Sequence, residues 1–243
     1  MPLTIESIMC IFEEGSIWRM YMNKFAFVAD FDGTLTEKDF YNILIDKYIG
    51  EEGHRFYEEW KRKEKVGVAF LNRIFEWSGL TEEDLQAEIL KIPFDINGQR
   101  LIEEVYAQGG DFYIVSAGTS YYIKRFLSHI GLEDVNLISM PASYVDGYLK
   151  VQPDKRNPYF SEDFGLDKRK VIETLKKENG YDFVYFAGDS EPDLTAAISA
   201  DLAFTMGELS ELMKEAGKPH IVVNNCGEIL NYLVERRGME NIK

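Results

Sequence analysis

Short runs of consecutive apolar residues alternate along this chain with segments whose apolar residues recur at helical spacing. The apolar runs predict strands at Phe25–Ala29, Phe112–Val115, Leu137–Met140, Phe183–Phe186, Leu202–Thr205 and Ile221–Val223. The helical segments lie near Asn97–Gln108, Ser120–Ile130, Lys168–Asn179, Pro192–Ala200, Glu208–Ala216 and Glu228–Arg236. Uninterrupted apolar runs are typical of strands covered on both faces. The alternation predicts an α/β fold with a doubly wound, mostly parallel sheet, and Asp146–Gly147 predicts one hairpin turn.

The alternation breaks between residues 40 and 92, where only helical patterns occur. The pattern predicts a small helical insert at 40–92 within a sheet-forming core made of 22–39 and 93–243. The residues before this core, 1–21, have no evident place in the sheet. They are predicted to be a peripheral extension.

The chain carries 42 acidic and 27 basic residues, a formal net charge of −15. A field of that sign repels nucleic acid and anionic membranes, so neither is an expected partner. An anionic substrate would need a local positive charge or a metal ion. The 2 cysteines, Cys10 and Cys226, are too few for a disulfide framework, which makes a reducing, cytoplasmic setting the default. No apolar run approaches the ~20 residues that span a membrane.

The stretch FAFVADFDGTLT places two carboxylates, Asp30 and Asp32, directly after the first apolar run. Residues i and i+2 at a strand end point to the same side, and Gly33 allows a tight turn beside a ligand. Two neighbouring carboxylates repel each other unless a cation lies between them or one holds a proton. One can attack phosphorus while the other exchanges protons, so the pair suits a two-step phosphoryl transfer. The alternative is an Asp-rich turn without chemistry.

Four segments, in order, resemble the motifs of the haloacid dehalogenase superfamily of phosphatases. They are DFDGTLT, YIVSAG, GLDKRKVIETL and YFAGDSEPDLTAA. The resemblance covers about Asn23 to Leu233. It implies a Rossmann-like core with a helical cap of the C1 type between the first and second motifs, the arrangement of subfamily IB.

The resemblance also implies a role for the motif residues. Asp30 would be the nucleophile and Asp32 the acid/base. Ser116 and the backbone beside it at Ala117 would bind a phosphoryl oxygen. Lys168 would offset the charge of the nucleophile and phosphate in the transition state.

Mg²⁺ is the implied cofactor, because it binds through few carboxylates together with water and phosphate. Asp30 and Asp189 would supply carboxylate ligands, and Asp32 would supply its backbone carbonyl. Asp193 would hold a metal-bound water.

Several of these residues have a structural interpretation as well. Ser116 could cap a helix, and Asp189 and Asp193 could be turn and cap residues. A charged helix start such as DKRK is usually solvated. Lys168 is preferred to Lys170 because its spacing before VIETL resembles the family pattern.

The cap would recognise the leaving group. Asp39 lies where phosphoserine phosphatases carry a Glu for the substrate amine, and Arg73 lies where they carry an Arg for the carboxylate. For both residues the alternative is a surface salt bridge or helix-face charge. The fourth motif departs from the phosphoserine phosphatases at Pro192. It looks more like the methionine-salvage phosphatase group, as does GDFYIVSAGTSYYI.

The resemblance therefore favours a Mg²⁺-dependent phosphomonoesterase that acts on a small phosphorylated metabolite, related to the methionine-salvage group. Phosphoserine phosphatase is the alternative. A phosphomutase or a non-catalytic small-molecule binding protein would use the same core. Asp32 and Asp189 argue against a haloacid dehalogenase, which uses one Asp and no metal. The natural substrate and the oligomeric state, monomer or homodimer, stay open.

Overall fold

The computed structural model describes residues 24–240, with side chains to residue 237. The predicted extension at 1–21 lies outside the described residues. The strands are β1 (Phe25–Ala29), β2 (Asp111–Thr119), β3 (Asn136–Met140), β4 (Ala142–Val145), β5 (Tyr148–Val151), β6 (Phe183–Gly188), β7 (Leu202–Thr205) and β8 (Ile221–Val222). A six-stranded sheet has the order β3-β2-β1-β6-β7-β8, and β4 pairs with β5.

The strands β1, β6, β7 and β8 pair in parallel. All five residues of β1 are buried, which agrees with its uninterrupted apolar run. The sheet and the helices that flank it confirm the predicted Rossmann-like α/β fold.

Ten α-helices lie within residues 24–240. They are α1 (Phe40–Leu44), α2 (Glu51–Lys61), α3 (Val68–Trp77), α4 (Glu82–Ile89), α5 (Gly98–Ala107), α6 (Ser120–His129), α7 (Lys168–Lys177), α8 (Leu194–Ser199), α9 (Gly207–Glu215) and α10 (Cys226–Glu240). A π-helical turn, Ile45–Ile49, continues α1. None of the helices in the described part of the chain is long and apolar enough to cross a membrane.

Strand β2 is longer than its apolar run predicted. The run ends at Val115, whereas the strand continues to Thr119. Ser116 and Thr119 are buried, and Ser116 Oγ accepts a hydrogen bond from the Gly118 amide at 2.9 Å. The second half of β2, residues 116–119, consists of the small residues SAGT, which give no run of large apolar residues from which a strand could be predicted. The predicted strand Phe112–Val115 placed Ser116 just beyond the strand end, which is wrong, because Ser116 lies inside β2.

The helix predicted at Pro192–Ala200 begins later than predicted. Glu191–Asp193 form a 3-10 turn, and α8 begins one residue later. The Asp193 carboxylate accepts hydrogen bonds from the amides of Asp189 and Ser190, at 3.0 and 3.2 Å. These bonds satisfy backbone donors at the start of the turn and tighten it.

The chain divides into two compact units, and the first comprises the residues up to Asp30, Asp95–Tyr113 and the residues from Lys168 onward. Its core is aromatic. Phe27 stacks on three rings with centroids 5.3, 5.8 and 6.0 Å away, those of Phe112, Tyr185 and Phe204. Each such ring contact stabilises the fold by ~0.5–1.5 kcal/mol beyond the contribution of the buried apolar area. This packing fixes β1, whose end leads into Asp30.

The second unit comprises Phe31–Phe94 and Ile114–Asp167. Thr36 forms an isolated antiparallel bridge with Phe94, so the ends of the helical stretch lie side by side. The predicted cap at 40–92 and its boundaries with the core remain predictions.

The hairpin β4–β5 belongs to the second unit and turns where the sequence predicted. Asp146 and Gly147 have φ values of 54° and 86°, the left-handed pair that a tight hairpin turn requires. Asn72 of α3 binds both backbone groups of Val151 in β5. Its Oδ1 accepts the amide at 2.7 Å, and its Nδ2 donates to the carbonyl at 3.3 Å.

A buried carboxylate joins α4 to the π-helical turn. The Glu88 side chain is only 7% exposed and lies 2.5 Å from Lys47 Nζ and 2.9 Å from Lys91 Nζ. Burial alone would raise the pKa of Glu88. Hydrogen bonds from Lys47, Lys91 and Tyr48 outweigh burial and lower that pKa to about 2.

We expect Glu88→Gln to lower the free energy of unfolding at pH 7 by ~1–3 kcal/mol, the usual contribution of hydrogen bonds to a charged group. A lowered pKa contributes stability fully above the unfolded-state pKa of about 4.3, and this contribution is lost as the pH falls towards the folded-state value. Urea unfolding at pH 7 and pH 3 should therefore show a smaller difference between wild type and variant at pH 3. Glu83→Gln, on an exposed position of the same helix, is the matched control. Equal differences at both pH values would contradict this assignment.

Candidate active site

Asp30 follows directly on β1. Its amide donates a 2.9 Å hydrogen bond to the Ala187 carbonyl in β6, so the sheet fixes its backbone. The residue is 6% exposed. A buried carboxylate needs a cationic or hydrogen-bonding partner, because desolvation of the charge is costly.

That partner is Lys168, the first residue of α7. Its Nζ lies 2.9 Å from Asp30 Oδ1 and 2.6 Å from Asp193 Oδ1, and the residue is 1% exposed. Burial alone would lower the pKa of Lys168, but the charges of Asp193 and Asp30 outweigh it and raise the pKa. The ammonium therefore stays charged between the two carboxylates. Lys170, the other candidate, is half-buried on the same helix.

Asp193 organises the loop after β6. Its Oδ1 faces Lys168, while its Oδ2 accepts the amides of Asp189 and Ser190. A Cβ on Gly188 would lie 2.6 Å from the Asp193 carboxyl carbon, so only glycine leaves room for this arrangement. Both carboxylate oxygens of Asp193 already accept hydrogen bonds from the protein.

Carboxylate oxygens of Asp30, Asp189 and Asp193 lie within 4.8 Å of one another. Asp189 is half-buried, whereas the other two are buried. Hard oxygen donors on a fixed backbone are the ligands that Mg²⁺ prefers, so the cluster fits the implied cation. The structure thus brings together four of the residues that the motifs selected.

Asp32 lies in the second unit and is held from several directions. Its Oδ1 accepts the Phe40 amide at 2.9 Å, and its Oδ2 contacts the hydroxyl of Tyr122 and lies 3.5 Å from Ser116 Oγ. The residue is 8% exposed. The structure therefore places Ser116 beside Asp32, and the half-buried Ala117 follows in β2.

The turn after Asp32 needs glycine. Gly33 has φ 74°, a left-handed conformation that other residues rarely adopt. Its amide donates to Thr36 Oγ1 at 3.1 Å, and Thr36 Oγ1 donates to the Phe31 carbonyl at 3.2 Å. These bonds close a tight turn directly after Asp32.

Asp39 and Arg73, the two predicted contacts with the organic part of the substrate, have local partners. Asp39 precedes α1 and accepts a 3.0 Å hydrogen bond from Asn42 Nδ2. The Arg73 side chain is 51% exposed, pairs with Glu76 at 3.3 Å and lies over the Trp77 ring at 5.3 Å. This environment agrees with the helix-face alternative for Arg73.

Two residues of this region were missed by the sequence analysis. Tyr122 reaches Asp32 across 90 positions of the chain, and Gly118 leaves the space for that contact. Tyr122 falls within a helical pattern, where an aromatic residue indicates packing. In the local sequence, Gly118 at the end of the second motif, YIVSAG, indicated that space is needed there.

The chain is similar to known proteins over most of its length. Residues 27–197 match the haloacid dehalogenase-like hydrolase family. A protein named 2-hydroxy-3-keto-5-methylthiopentenyl-1-phosphate phosphatase from Bacillus pumilus is 26% identical over 202 residues, which cover 82% of this chain and 86% of the relative. A protein of the same name from Lysinibacillus sphaericus is 25% identical over 220 residues, 85% of this chain and 94% of the relative.

Solved structures with similar folds include two of phosphoserine phosphatase. A phospho-aspartyl intermediate analogue has a TM-score of 0.63 at 18% identity, and a substrate-bound complex has 0.62 at 19%. Each comparison covers 85% of this chain and 97% of the other. The structural likeness shows the fold. The family match, residues 27–197, contains all four motifs. The chain therefore belongs to the haloacid dehalogenase-like hydrolase family, which confirms the resemblance seen in its motifs.

Proposed function

We propose that this chain is a Mg²⁺-dependent phosphomonoesterase that hydrolyses a small phosphorylated metabolite through an aspartyl-phosphate at Asp30. The observation that carries the proposal is the buried contact of Lys168 Nζ with Asp30 at 2.9 Å and with Asp193 at 2.6 Å. An ammonium fixed beside the nucleophile supplies the positive charge that a phosphate needs on a chain of net charge −15.

In the first step an oxygen of Asp30 attacks phosphorus, and the ester P–O bond breaks. The carboxyl group of Asp32 gives its proton to the departing oxygen, so an alcohol leaves instead of an alkoxide. Asp30 is then an acyl phosphate, and Asp32 is ionised.

In the second step a water oxygen attacks phosphorus while Asp32 takes a proton from that water. The bond between phosphorus and the Asp30 oxygen breaks, which restores the carboxylate and releases inorganic phosphate. Asp32 ends the cycle protonated. Two residues separated by Phe31 thus serve as nucleophile and acid/base.

The proposed cation ligands are Asp30 and Asp189 through their carboxylates and Asp32 through its backbone carbonyl. Asp193 is proposed to hold a metal-bound water, an indirect role that suits a carboxylate already bonded to Lys168 and to two amides. Bound there, Mg²⁺ would neutralise charge on the phosphoryl oxygens.

The names of the relatives support a proposal for the substrate class. Two of them are named for a 2-hydroxy-3-keto-5-methylthiopentenyl-1-phosphate, and we propose an ester of this kind, small and phosphorylated, as the substrate. Phosphoserine is the second candidate, since two structures with similar folds are phosphoserine phosphatases. A cytoplasmic location, and the absence of nucleic-acid and membrane partners, remain proposals from composition.

The direct test is a screen of phosphorylated metabolites with the full chain in Mg²⁺, together with p-nitrophenyl phosphate as a generic ester. We expect phosphate release from p-nitrophenyl phosphate and faster release from one small metabolite. Phosphate release from none of them, with the protein folded, would favour the alternative of a binding protein.

Metal dependence is a separate expectation. Excess chelator should abolish hydrolysis of p-nitrophenyl phosphate, and Mg²⁺ should restore it. Ca²⁺ should inhibit, because its larger and looser coordination shell disturbs the geometry of attack. Asp189→Ala should raise the Mg²⁺ concentration required for half-maximal rate, measured by titration. Glu215→Ala, which removes an exposed carboxylate of the same unit, is the control. Undiminished activity in chelator would refute the metal assignment.

A further inference from the structure

The carboxylate of Asp32 is in contact with a tyrosine to which the four motifs give no role. The Tyr122 hydroxyl meets Asp32 Oδ2, while the Phe40 amide donates to Oδ1 at 2.9 Å. Tyr122 is 3% exposed. Ser116 Oγ also lies 3.5 Å from Oδ2. Donors on both carboxylate oxygens fix the plane of the carboxyl group as well as its position.

The ring of Tyr122 is itself held by neighbours of Asp32 in the chain. Its centroid lies 4.8 Å from that of Phe40 and 6.2 Å from that of Phe31. The two phenylalanines belong to the segment that carries Asp32 and leads into α1. The phenol is therefore packed against the same segment whose carboxylate it contacts.

Gly118 makes this contact possible. A Cβ on residue 118 would lie 1.8 Å from the Tyr122 hydroxyl oxygen and 2.7 Å from Asp32 Oδ2. Non-bonded atoms do not approach a Cβ that closely, so any other residue at position 118 would displace the phenol or the carboxylate. The glycine of the second motif thus has a local steric reason in this chain.

We propose that Tyr122 is a positioning residue for the acid/base Asp32. Its hydroxyl donates to Oδ2 and keeps the carboxyl group oriented, so that the Asp32 proton passes to the departing oxygen as the ester P–O bond breaks. Tyr122 keeps its own proton throughout. This inference rests on the proposed function, because it presupposes the role of Asp32.

Misorientation of Asp32 should matter most when the leaving group needs a proton. p-Nitrophenolate leaves readily without one, whereas an alkoxide does not. A purely structural role of Tyr122 would instead lower the rates on all esters by the same factor. The dependence of kcat/KM on the leaving group therefore distinguishes positioning from packing.

The experiment compares kcat/KM for p-nitrophenyl phosphate, phenyl phosphate and glycerol 2-phosphate in Mg²⁺. For Tyr122→Phe we expect a loss of ~10-fold or more on glycerol 2-phosphate and less than ~3-fold on p-nitrophenyl phosphate, since one lost orienting contact removes part of the ~10²–10⁴-fold effect of acid catalysis. Tyr121→Phe is the matched control, because its hydroxyl donates to Glu82 at 2.6 Å. It should leave the profile unchanged.

A double variant provides an independent readout. In an Asp32→Asn background, Tyr122→Phe should cause little further loss on glycerol 2-phosphate, because the group it orients no longer exchanges protons. A further loss as large as in the wild-type background would overturn the inference, and so would equal losses of Tyr122→Phe on all three esters or none on any. Absence of hydrolysis by the wild-type chain would instead overturn the proposed function, and this inference with it.

Discussion

Asp30→Asn should abolish turnover, with a fall in kcat of at least ~10⁴-fold, as expected when a covalent nucleophile is removed from a hydrolase. An amide is a poor nucleophile, but its oxygen still accepts a hydrogen bond from Lys168, so the fold should persist. Steady-state hydrolysis of p-nitrophenyl phosphate in Mg²⁺ measures the loss. Near-ultraviolet circular dichroism checks that the protein is folded.

The control for Asp30→Asn is Asp182→Asn, the same chemical change at an exposed position of the same unit. It should keep the wild-type rate. Appreciable turnover by folded Asp30→Asn would exclude Asp30 as the nucleophile and leave its burial against Lys168 as a structural feature.

Lys168→Met should impair both the reaction and the fold. It replaces a buried cation by an apolar side chain of similar length and leaves Asp30 and Asp193 without their shared partner. Removing one member of a buried ion pair costs ~3–5 kcal/mol of stability, and loss of a preorganised charge at a transition state costs ~10²–10³-fold in kcat. Thermal unfolding and hydrolysis of p-nitrophenyl phosphate measure the two effects.

Lys170→Met is the matched control, because Lys170 is the half-buried lysine of the same helix and the alternative that the motif spacing left open. It should change both readouts little. Adding Asp193→Asn to Lys168→Met should restore part of the stability, since one buried charge then no longer lacks a partner. A larger loss of activity in Lys170→Met than in Lys168→Met would reverse the assignment.

The sequence predicted the strands best where burial is continuous. β1 was predicted residue for residue, because all five residues of Phe25–Ala29 are apolar and buried. β2 was predicted too short, because its second half is built from small residues whose extended backbone leaves no hydrophobic pattern. Asp193 ends a 3-10 turn instead of lying in a helix, since its carboxylate satisfies two backbone amides.

In the candidate site, too, the residues marked by local motifs were predicted, whereas contacts between distant parts of the chain were not. The motifs selected Asp30, Lys168, Asp189 and Asp193. In the structure Lys168 Nζ contacts Asp30 and Asp193, and the three carboxylates lie within 4.8 Å of one another. The motifs could not show that Asp193 binds Lys168 through one oxygen and the backbone through the other, because side-chain direction depends on tertiary packing. Tyr122 was missed for the same reason: its sequence context describes a helix face, and its partner lies far away in the chain.

The most direct test of the central claim is to trap the phosphorylated enzyme. The full chain is mixed with p-nitrophenyl phosphate and Mg²⁺, quenched in acid within the first turnover, and analysed by mass spectrometry as intact protein and as peptides. The account predicts an adduct of one phosphoryl group that hydroxylamine removes, located on the peptide that contains Asp30 and absent from Asp30→Asn. A phosphoryl group on any other residue, or none while p-nitrophenol is released in a rapid burst, would contradict it.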